Sequence, residues 1–299
     1  MSVLAYAVLI IYSTALIYIT MYCVMQFNLL YHYKKAAHKK GAPPSPAELL
    51  AQIAAAEQTE TSNNPEDYPF VTVQLPIFNE MYVVERLIDN ISQFDYPKDR
   101  FEIHVLDDST DESVEITRQK VAEWRAKGLN IEHIHRVNRK GYKAGALQEA
   151  MQYAKGEFIA IFDADFLPRP DFLKVTIPYF KDPKVGVVQT RWEHINEDYS
   201  LITKLQALQL NVHFTVEQKG REAGNYLLQF NGTAGVWRRE TIDVAGGWEA
   251  DTLTEDFDLS IRAQLKGYKI KFLEEIGSPA ELPAEMSSLK SQQFRWMKG

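Results

Sequence analysis

Two hydrophobic periods alternate along most of this chain, and the stretch before them has no period at all. From Val3 to Met25 almost every residue is apolar, and Met1 to Tyr33 contains no Asp, Glu, Lys or Arg. A helix that is apolar all round suits lipid better than a one-sided contact with a protein core. A bilayer core takes roughly 20 such residues as helix. A cleaved signal peptide fits less well: no positive residues precede the run, it is too long, and no small-residue cleavage site follows. Residues 1–33 are therefore predicted to be a transmembrane helix. Lys34, Lys35, Lys39 and Lys40 follow at once, which by the positive-inside rule puts everything downstream in the cytosol.

Residues 34–68 read as a juxtamembrane linker. "GAPP" breaks the chain, and Ser45-Pro46-Ala47-Glu48 has the form of a capping box with proline at the first helical position. "LLAQIAAAE" carries a short helix, and "QTETSNNPEDYP" is a polar, turn-rich exit. From Phe70 onward, strand-like and helix-like segments alternate. "FVTVQLPIF", "FEIHVLDDS", "IEHIHRV" and "EFIAIFDAD" predict four strands. "MYVVERLIDNISQF", "DESVEITRQKVAEWRAKG" and "YKAGALQEAMQYAKG" predict the helices between them. Alternation of this kind gives an α/β fold with a mostly parallel sheet and helices on both faces.

Ligands of such sheets bind beyond the carboxyl ends of the strands. The residues predicted there are Asn79 and Glu80 after the first strand, Asp107 and Asp108 after the second, and Asp163 and Asp165 after the fourth. Asp163 and Asp165, two apart in an extended segment, point to one side and repel, so a positive group is expected in front of them. An acidic rim suits a hard divalent cation, Mg²⁺ or Mn²⁺, held by one or two carboxylates and completed by substrate phosphates. Gly141 to Gly145 opens a helix whose N-terminus, with Lys143, could receive a diphosphate. No G-x-G-x-x-G and no Walker A sequence occurs, which leaves a dinucleotide oxidoreductase or an NTPase unsupported.

Composition narrows the field further. The formal net charge is −7 with no basic tail, which argues against a nucleic-acid binder. Cys23 is the single cysteine, so neither a disulfide framework nor a cysteine-based zinc site can be built.

"DDS", "DAD", "TED" (Thr254-Glu255-Asp256) and "QQFRW" (with Gln292, Arg295 and Trp296) occur in this order. The set resembles the processive family 2 glycosyltransferases, from about Val71 to the last residue. The wording of "VLDDSTDE", "NRKGYKAGAL", "AIFDADF", "FNGTAGVWR", "AGGW" and "QQFRW" looks like the cellulose-synthase-like mannan and glucomannan synthases and their bacterial relatives. The resemblance implies a GT-A type, Rossmann-like domain over 69–299, with a nucleotide-sugar half at 69–175 and an acceptor half at 176–299. It implies inverting transfer of a hexose from a nucleoside-diphosphate sugar, GDP-mannose favoured, to a growing β-glycan acceptor. In that family a metal sits on Asp165 with Asp163 nearby. Glu80 and Asp108 belong to the nucleoside pocket, and Asn79 and Asp107 count among the donor-binding residues. Lys143, Asp163, Gln292 and Arg295 serve the donor, and Trp296 serves the acceptor sugar. Asp256 matches the general base, with Glu255 beside it.

Around Asp256 the local signals conflict. "FDLSIRAQLKG" alternates like a strand, yet Ala, Arg, Gln, Leu and Lys favour helix and Gly267 is a good stop. A helix with Asp256 in its first turn, capped by a Thr252–Glu255 box, is the expectation. "SSLKSQQFRWMKG" would place Gln292, Arg295 and Trp296 on one helical face, in an amphipathic helix that also suits a membrane interface. "LITKLQALQLNVHFTVEQ" is a second amphipathic candidate. The family's members continue past "RW" into further membrane helices, so a fragment of a longer protein is expected. An integral membrane protein with a cytosolic catalytic domain, in the cell membrane, completes the reading. A β-1,4-glucan synthase using UDP-glucose, a lipid glycosyltransferase and a non-catalytic nucleotide-sugar-binding scaffold are the alternatives.

Overall fold

A computed structural model describes residues 3–37, 48, 50–51 and 68–298. The capping box at Ser45 and most of the linker helix lie outside the described residues; Glu48, Leu50 and Ala51 are helical. The first helix, α1 (Val3–Ala37), runs for 35 residues. At ~1.5 Å per residue that is about 52 Å, longer than a hydrocarbon core of roughly 30 Å. Its most apolar window makes no burying contact with the rest of the chain, so by length and composition it can span a membrane. Its last third is different in kind. From Gln26 onward, α1 touches the globular domain.

The four predicted strands are β1 (Val71–Ile77), β2 (Phe101–Asp107), β3 (Ile131–His135) and β4 (Phe158–Ile161). Three more follow: β5 (Val185–His194), β6 (Gly235–Arg238) and β7 (Lys269–Ala280). The sheet order is β3-β2-β1-β4-β6-β5-β7. β1 to β4 are mutually parallel where they pair, β5 is parallel to β7, and β6 runs antiparallel to both its neighbours. Register aligns Ile77 with Asp107 and Asp107 with His135. One edge of the sheet therefore collects the carboxyl ends of β1, β2 and β4.

Helices α2 (Val84–Ser92) and α3 (Ser113–Ala126) lie against this sheet. α2 buries Val84, Leu87, Ile88 and Ile91, the three-and-four spacing of one helical face. α4 (Tyr142–Ala150) buries Ala144, Ala146, Leu147 and Ala150. The two sheet faces carry separate cores. One packs Phe94, Phe162 and Phe172 against the odd-numbered residues of β1. The other packs Leu147, Trp237 and Trp248.

The chain then forms α5 (Leu201–Val212), a π-helical turn at His213–Gln218 and α6 (Lys219–Gly224) as one continuous rod. This rod is the surface on which α1 docks. A Cβ on Gly220 would sit 2.6 Å from the Leu29 carbonyl oxygen, so only glycine permits so close a crossing. α7 (Glu255–Leu265) and α8 (Met286–Lys298) complete the described chain. α7 is a helix, as expected, and Asp256 is in its first turn. The predicted Thr252–Glu255 capping box does not form. Thr254 is the N-cap residue, and the Thr252 hydroxyl accepts from the Thr254 amide at 3.1 Å. Glu255 is buried and feels the charge of Lys143, and the Thr252 hydroxyl is engaged with Thr254 instead.

Candidate active site

β4 ends at Ile161, and the chain turns sharply through Asp163 and Asp165. The two acids thus leave the extended backbone assumed for them, but the expected cation is present. Lys143 Nζ lies 2.5 Å from Asp163 Oδ1 and donates a second bond to the Gly232 carbonyl at 2.9 Å. The turn before α4 delivers it there. Gly141 has φ of 75°, and a Cβ on Gly145 would lie 2.1 Å from the Lys140 carbonyl oxygen. The tight turn therefore requires glycine at both places.

Lys143 answers several carboxylates at once. Burial opposes its charge, but Asp163, Glu255 and Asp256 outweigh that and hold it protonated above its ordinary range. Asp165 is pushed up to about 7 by burial first and by Asp163 next, with Glu80 adding to the effect. Asp256 is likewise pushed up to about 7, by burial and then by adjacent Glu255, against the pull of Lys143. Glu80 is raised by burial and by Asp163, and lowered by Arg295 of α8. Glu255 is raised chiefly by burial. These groups form one electrostatic unit with more negative charge than Lys143 neutralises.

The loop between α6 and β6 closes the unit on another side. Gly232, at φ of 80°, brings its α-carbon so near Asp256 that a Cβ would meet Oδ2 at 3.2 Å. The Thr233 hydroxyl accepts from the Asp163 amide at 2.8 Å. Asn231 is fixed to Gln189 through its backbone N–H at 2.9 Å.

On the β1–β2 side, Asn79 holds φ of 57°, donates its N–H to Ser109 Oγ and accepts from the Thr110 amide. Asp107 is fully buried, with Oδ2 2.7 Å from His133 Nε2 and Oδ1 accepting from the Ser109 amide. Burial opposes its ionisation, but those bonds outweigh it and hold the carboxyl below its usual range. Both its oxygens are engaged, so it braces the rim from behind. Asp108 faces forward into a bidentate pair with Arg136, at 2.7 and 2.6 Å. Arg139 lies flat over Phe78, its guanidinium carbon 3.3 Å from the ring centroid. Gln292 is half-buried, Arg295 reaches Glu80 through its charge, and Trp296 is 42% exposed.

The structure thus gathers Glu80, Lys143, Asp163, Asp165, Glu255 and Asp256, with Arg295 at their margin. Asn79, Asp107 and Asp108 form a neighbouring wall. Sequence reasoning missed Arg136 and Arg139, whose signal was two arginines three apart at the carboxyl end of a predicted strand. It also missed the backbone of Gly232 and Thr233, whose signal was an Asn-Gly turn.

Among the described residues, no three His, Cys, Asp or Glu side chains converge closely enough to hold a metal alone. The donor set nonetheless fits a hard cation. Asp165, raised in pKa by burial and then by the like charge of Asp163, offers carboxylate oxygens, and a magnesium-type site needs only one or two of these when phosphates supply the rest.

Comparison with known proteins follows the same lines. Residues 69–299 match the family model described as "Glycosyltransferase like family 2". The chain is 44% identical over 237 residues to glucomannan 4-beta-mannosyltransferase 1 of Oryza sativa subsp. japonica, covering 78% of this chain and 46% of that protein. It is 40% identical over 277 residues to probable glucomannan 4-beta-mannosyltransferase 10 of Arabidopsis thaliana, covering 91% and 49%. The chain spans about half the length of these curated relatives. Among solved structures, a mannosyltransferase from Pyrobaculum calidifontis in complex with GDP-Man and Mn²⁺ superposes with a TM-score of 0.66 at 25% identity, over 92% of this chain and 70% of that one.

Proposed function

This chain belongs to glycosyltransferase family 2 and has the α/β, GT-A type of fold, and from that premise we propose that it is an inverting hexosyltransferase extending a β-linked glycan. The favoured donor is GDP-mannose and the favoured product a β-mannan or glucomannan. One observation carries this: a half-buried Asp256, raised to about 7, facing the Lys143–Asp163 pair across Gly232. A carboxyl so raised is a far better proton acceptor near neutral pH than an ordinary one. The kinship with mannosyltransferases supports the choice of sugar.

Asp256 takes the proton of the acceptor hydroxyl as the new glycosidic bond forms, and Glu255 sustains its high pKa. Asp165, with Asp163, would hold Mg²⁺ or Mn²⁺, which supplies charge neutralisation at the diphosphate leaving group. Lys143 and Arg295 add fixed positive charge on that side. Asn79, Glu80, Asp107, Asp108 and Gln292 shape and line the donor pocket. Trp296 offers an apolar face to the acceptor sugar. The donor half spans 69–175 and the acceptor half 176–299. α1 spans the membrane with Lys34 and Lys35 on the cytosolic side, in the cell membrane.

The test uses membranes carrying the full chain, incubated separately with GDP-mannose and UDP-glucose. The product is then digested with linkage-specific hydrolases. A β-mannanase-sensitive polymer from GDP-mannose is expected. A β-glucanase-sensitive polymer from UDP-glucose alone would transfer the reading to a glucan synthase. Donor binding with no product from either would leave only a nucleotide-sugar-binding scaffold.

A further inference from the structure

The last third of α1 is joined to the loop beside the acid cluster by a line of side-chain hydrogen bonds that ends at Asn231. Gln26 donates its Nε2 to Glu217 Oε1 at 3.1 Å. The other oxygen of that carboxylate, Oε2, accepts from His213 Nδ1 at 2.9 Å. His213 Nε2 lies 3.1 Å from the Asn231 carboxamide oxygen. Gly232 and Thr233 come next in the chain, and they hold Lys143 and the Asp163 amide. We propose that His213 is a positioning residue for glycosyl transfer, linking the docked end of the membrane helix to the Asn231–Thr233 loop. The proposal rests on the transfer reaction proposed above.

Three features favour a dedicated link over incidental packing. First, His213 opens a π turn, six residues in an otherwise α-helical rod. π turns are rare and cluster at functional sites. Second, α1 is fixed against this rod at more than one point. Leu29 is buried over Gly220, Asn28 donates to the Tyr226 hydroxyl at 3.0 Å, and the Tyr33 hydroxyl reaches Glu274. The Gln26 amide is therefore held in place. Third, the Asn231 carboxamide oxygen that meets His213 also accepts from Gln229 Nε2 at 3.1 Å, so the residue that heads the loop is held by its side chain as well as by its backbone amide.

The loop does not depend on His213 to exist. Gln189 holds it from the opposite side, accepting from the Asn231 amide and donating to the Thr233 and Ala234 carbonyls. Loss of His213 leaves the fold and removes one anchor of the loop, while Gln189 and the Gln229 Nε2 bond to Asn231 Oδ1 remain. The remaining slack falls on Gly232 and Thr233, hence on Lys143, Asp163 and the approach to Asp256. Misplacement of about 1 Å at such groups costs on the order of 10²-fold in rate; partial loosening should cost less.

The test reconstitutes the full chain in lipid nanodiscs. His213→Ala should lower kcat about tenfold and leave the KM for GDP-mannose within about twofold, the split expected when alignment rather than donor binding is lost. His213→Gln, which keeps a donor toward Asn231, should recover much of that rate. Gln26→Leu should lower kcat by a few-fold (~3), and the double variant should be no slower than His213→Ala, because the two act through one link. Hydrogen exchange supplies a readout independent of turnover: amides from Phe230 to Val236 should exchange about tenfold faster in both single variants. An unchanged kcat in His213→Ala, effects that multiply in the double variant, or unchanged exchange would each overturn the link. If His213→Ala does not fold, Glu217→Gln decides by the same measurements. A wild type that binds donor but transfers no sugar would sink the transfer reading alone, and the exchange data then decide whether α1 is coupled to the loop.

Discussion

Lys143 Nζ and Asp163 Oδ1 lie 2.5 Å apart at the centre of a group of carboxylates that includes Glu80, Asp165, Glu255 and Asp256. The pair decides how much charge those acids can carry. Lys143 lowers the pKa of Asp165, Glu255 and Asp256. Lys143→Met removes that pull, so all three rise further and hold their protons to higher pH. The variant should transfer sugar at least about tenfold more slowly at pH 7, and its rate should recover in part toward pH 9 as the carboxyl ionises. A rate–pH profile of the variant beside wild type checks this; a uniform loss at every pH would limit Lys143 to holding the donor.

Asp165 illustrates a conflict between stability and function. Its folded pKa of about 7 lies above the ordinary 3.8, so the metal-free fold favours the protonated form. Stability on this account is greatest at low pH and declines as pH rises from about 4 through 7. Asp165→Asn removes the penalty. Metal-free Asp165→Asn should therefore melt higher than wild type at pH 8, by on the order of 1–2 kcal/mol after solvent screening of a rim group. At pH 4 the difference should vanish. The same variant should lose Mg²⁺- or Mn²⁺-dependent transfer, which an assay with and without EDTA would measure.

The early strands were legible because apolar residues recur at alternate positions in β1 and β2 and without a break in β4, and each of these runs stops at a polar turn. β1, β2 and β4 therefore announced themselves, and so did the acids at their ends. The strands from β5 onward were not. β6 is only Gly235–Arg238, too short for a period to register. β7 reads "KIKFLEEIGSPA"; charges inside it hide a strand that pairs with β5 across a bulge. The functional roles of Gly232 and Thr233 rest largely on backbone atoms and a single hydroxyl, and no side-chain pattern marks where a carbonyl will point. Asp107 and Asp108 looked equivalent in sequence. The fold separates them, turning one back to His133 and the other forward to Arg136.

Gly145→Ala tests how tightly the turn before α4 is built. A methyl group there would meet the Lys140 carbonyl oxygen at 2.1 Å, and the backbone carrying Lys143 would have to shift. Loss of about 1–3 kcal/mol of stability is expected, with a fall in transfer rate at a temperature where the variant remains folded. Gly128→Ala is the control. It too has positive φ, but nothing lies within 4 Å of its added Cβ, so it should cost some stability and leave the rate of the folded protein unchanged.

Trp296 is 42% exposed on α8 beside Arg295, whose charge reaches Glu80. Trp296→Ala should impair elongation of an acceptor more than nucleotide-sugar affinity. Titration of the donor, set beside the length distribution of the product, separates the two. Equal loss in both would give Trp296 a packing role.

Asp256 provides the decisive test of catalysis. A sugar hydroxyl is far too weak an acid to be ionised in advance by a carboxylate, so proton transfer must accompany bond formation. General-base assistance of this kind is worth roughly 10²–10⁴-fold. With Asp256 raised to about 7 by burial and by Glu255, its base form grows in as pH passes from 6 to 8. Wild-type kcat/KM should climb over that window and level off above it. Asp256→Asn preserves the shape of the side chain and its place beside Gly232 but has no basic oxygen at these pH values. Its turnover should fall by roughly 10²-fold or more and lose the rising limb, while donor affinity stays near that of wild type. Glu255→Gln should shift the limb toward lower pH, because the nearest negative charge raising Asp256 is gone. A rising limb that persists in Asp256→Asn would assign the base to another carboxylate, with Glu255 and Asp258 the next to substitute.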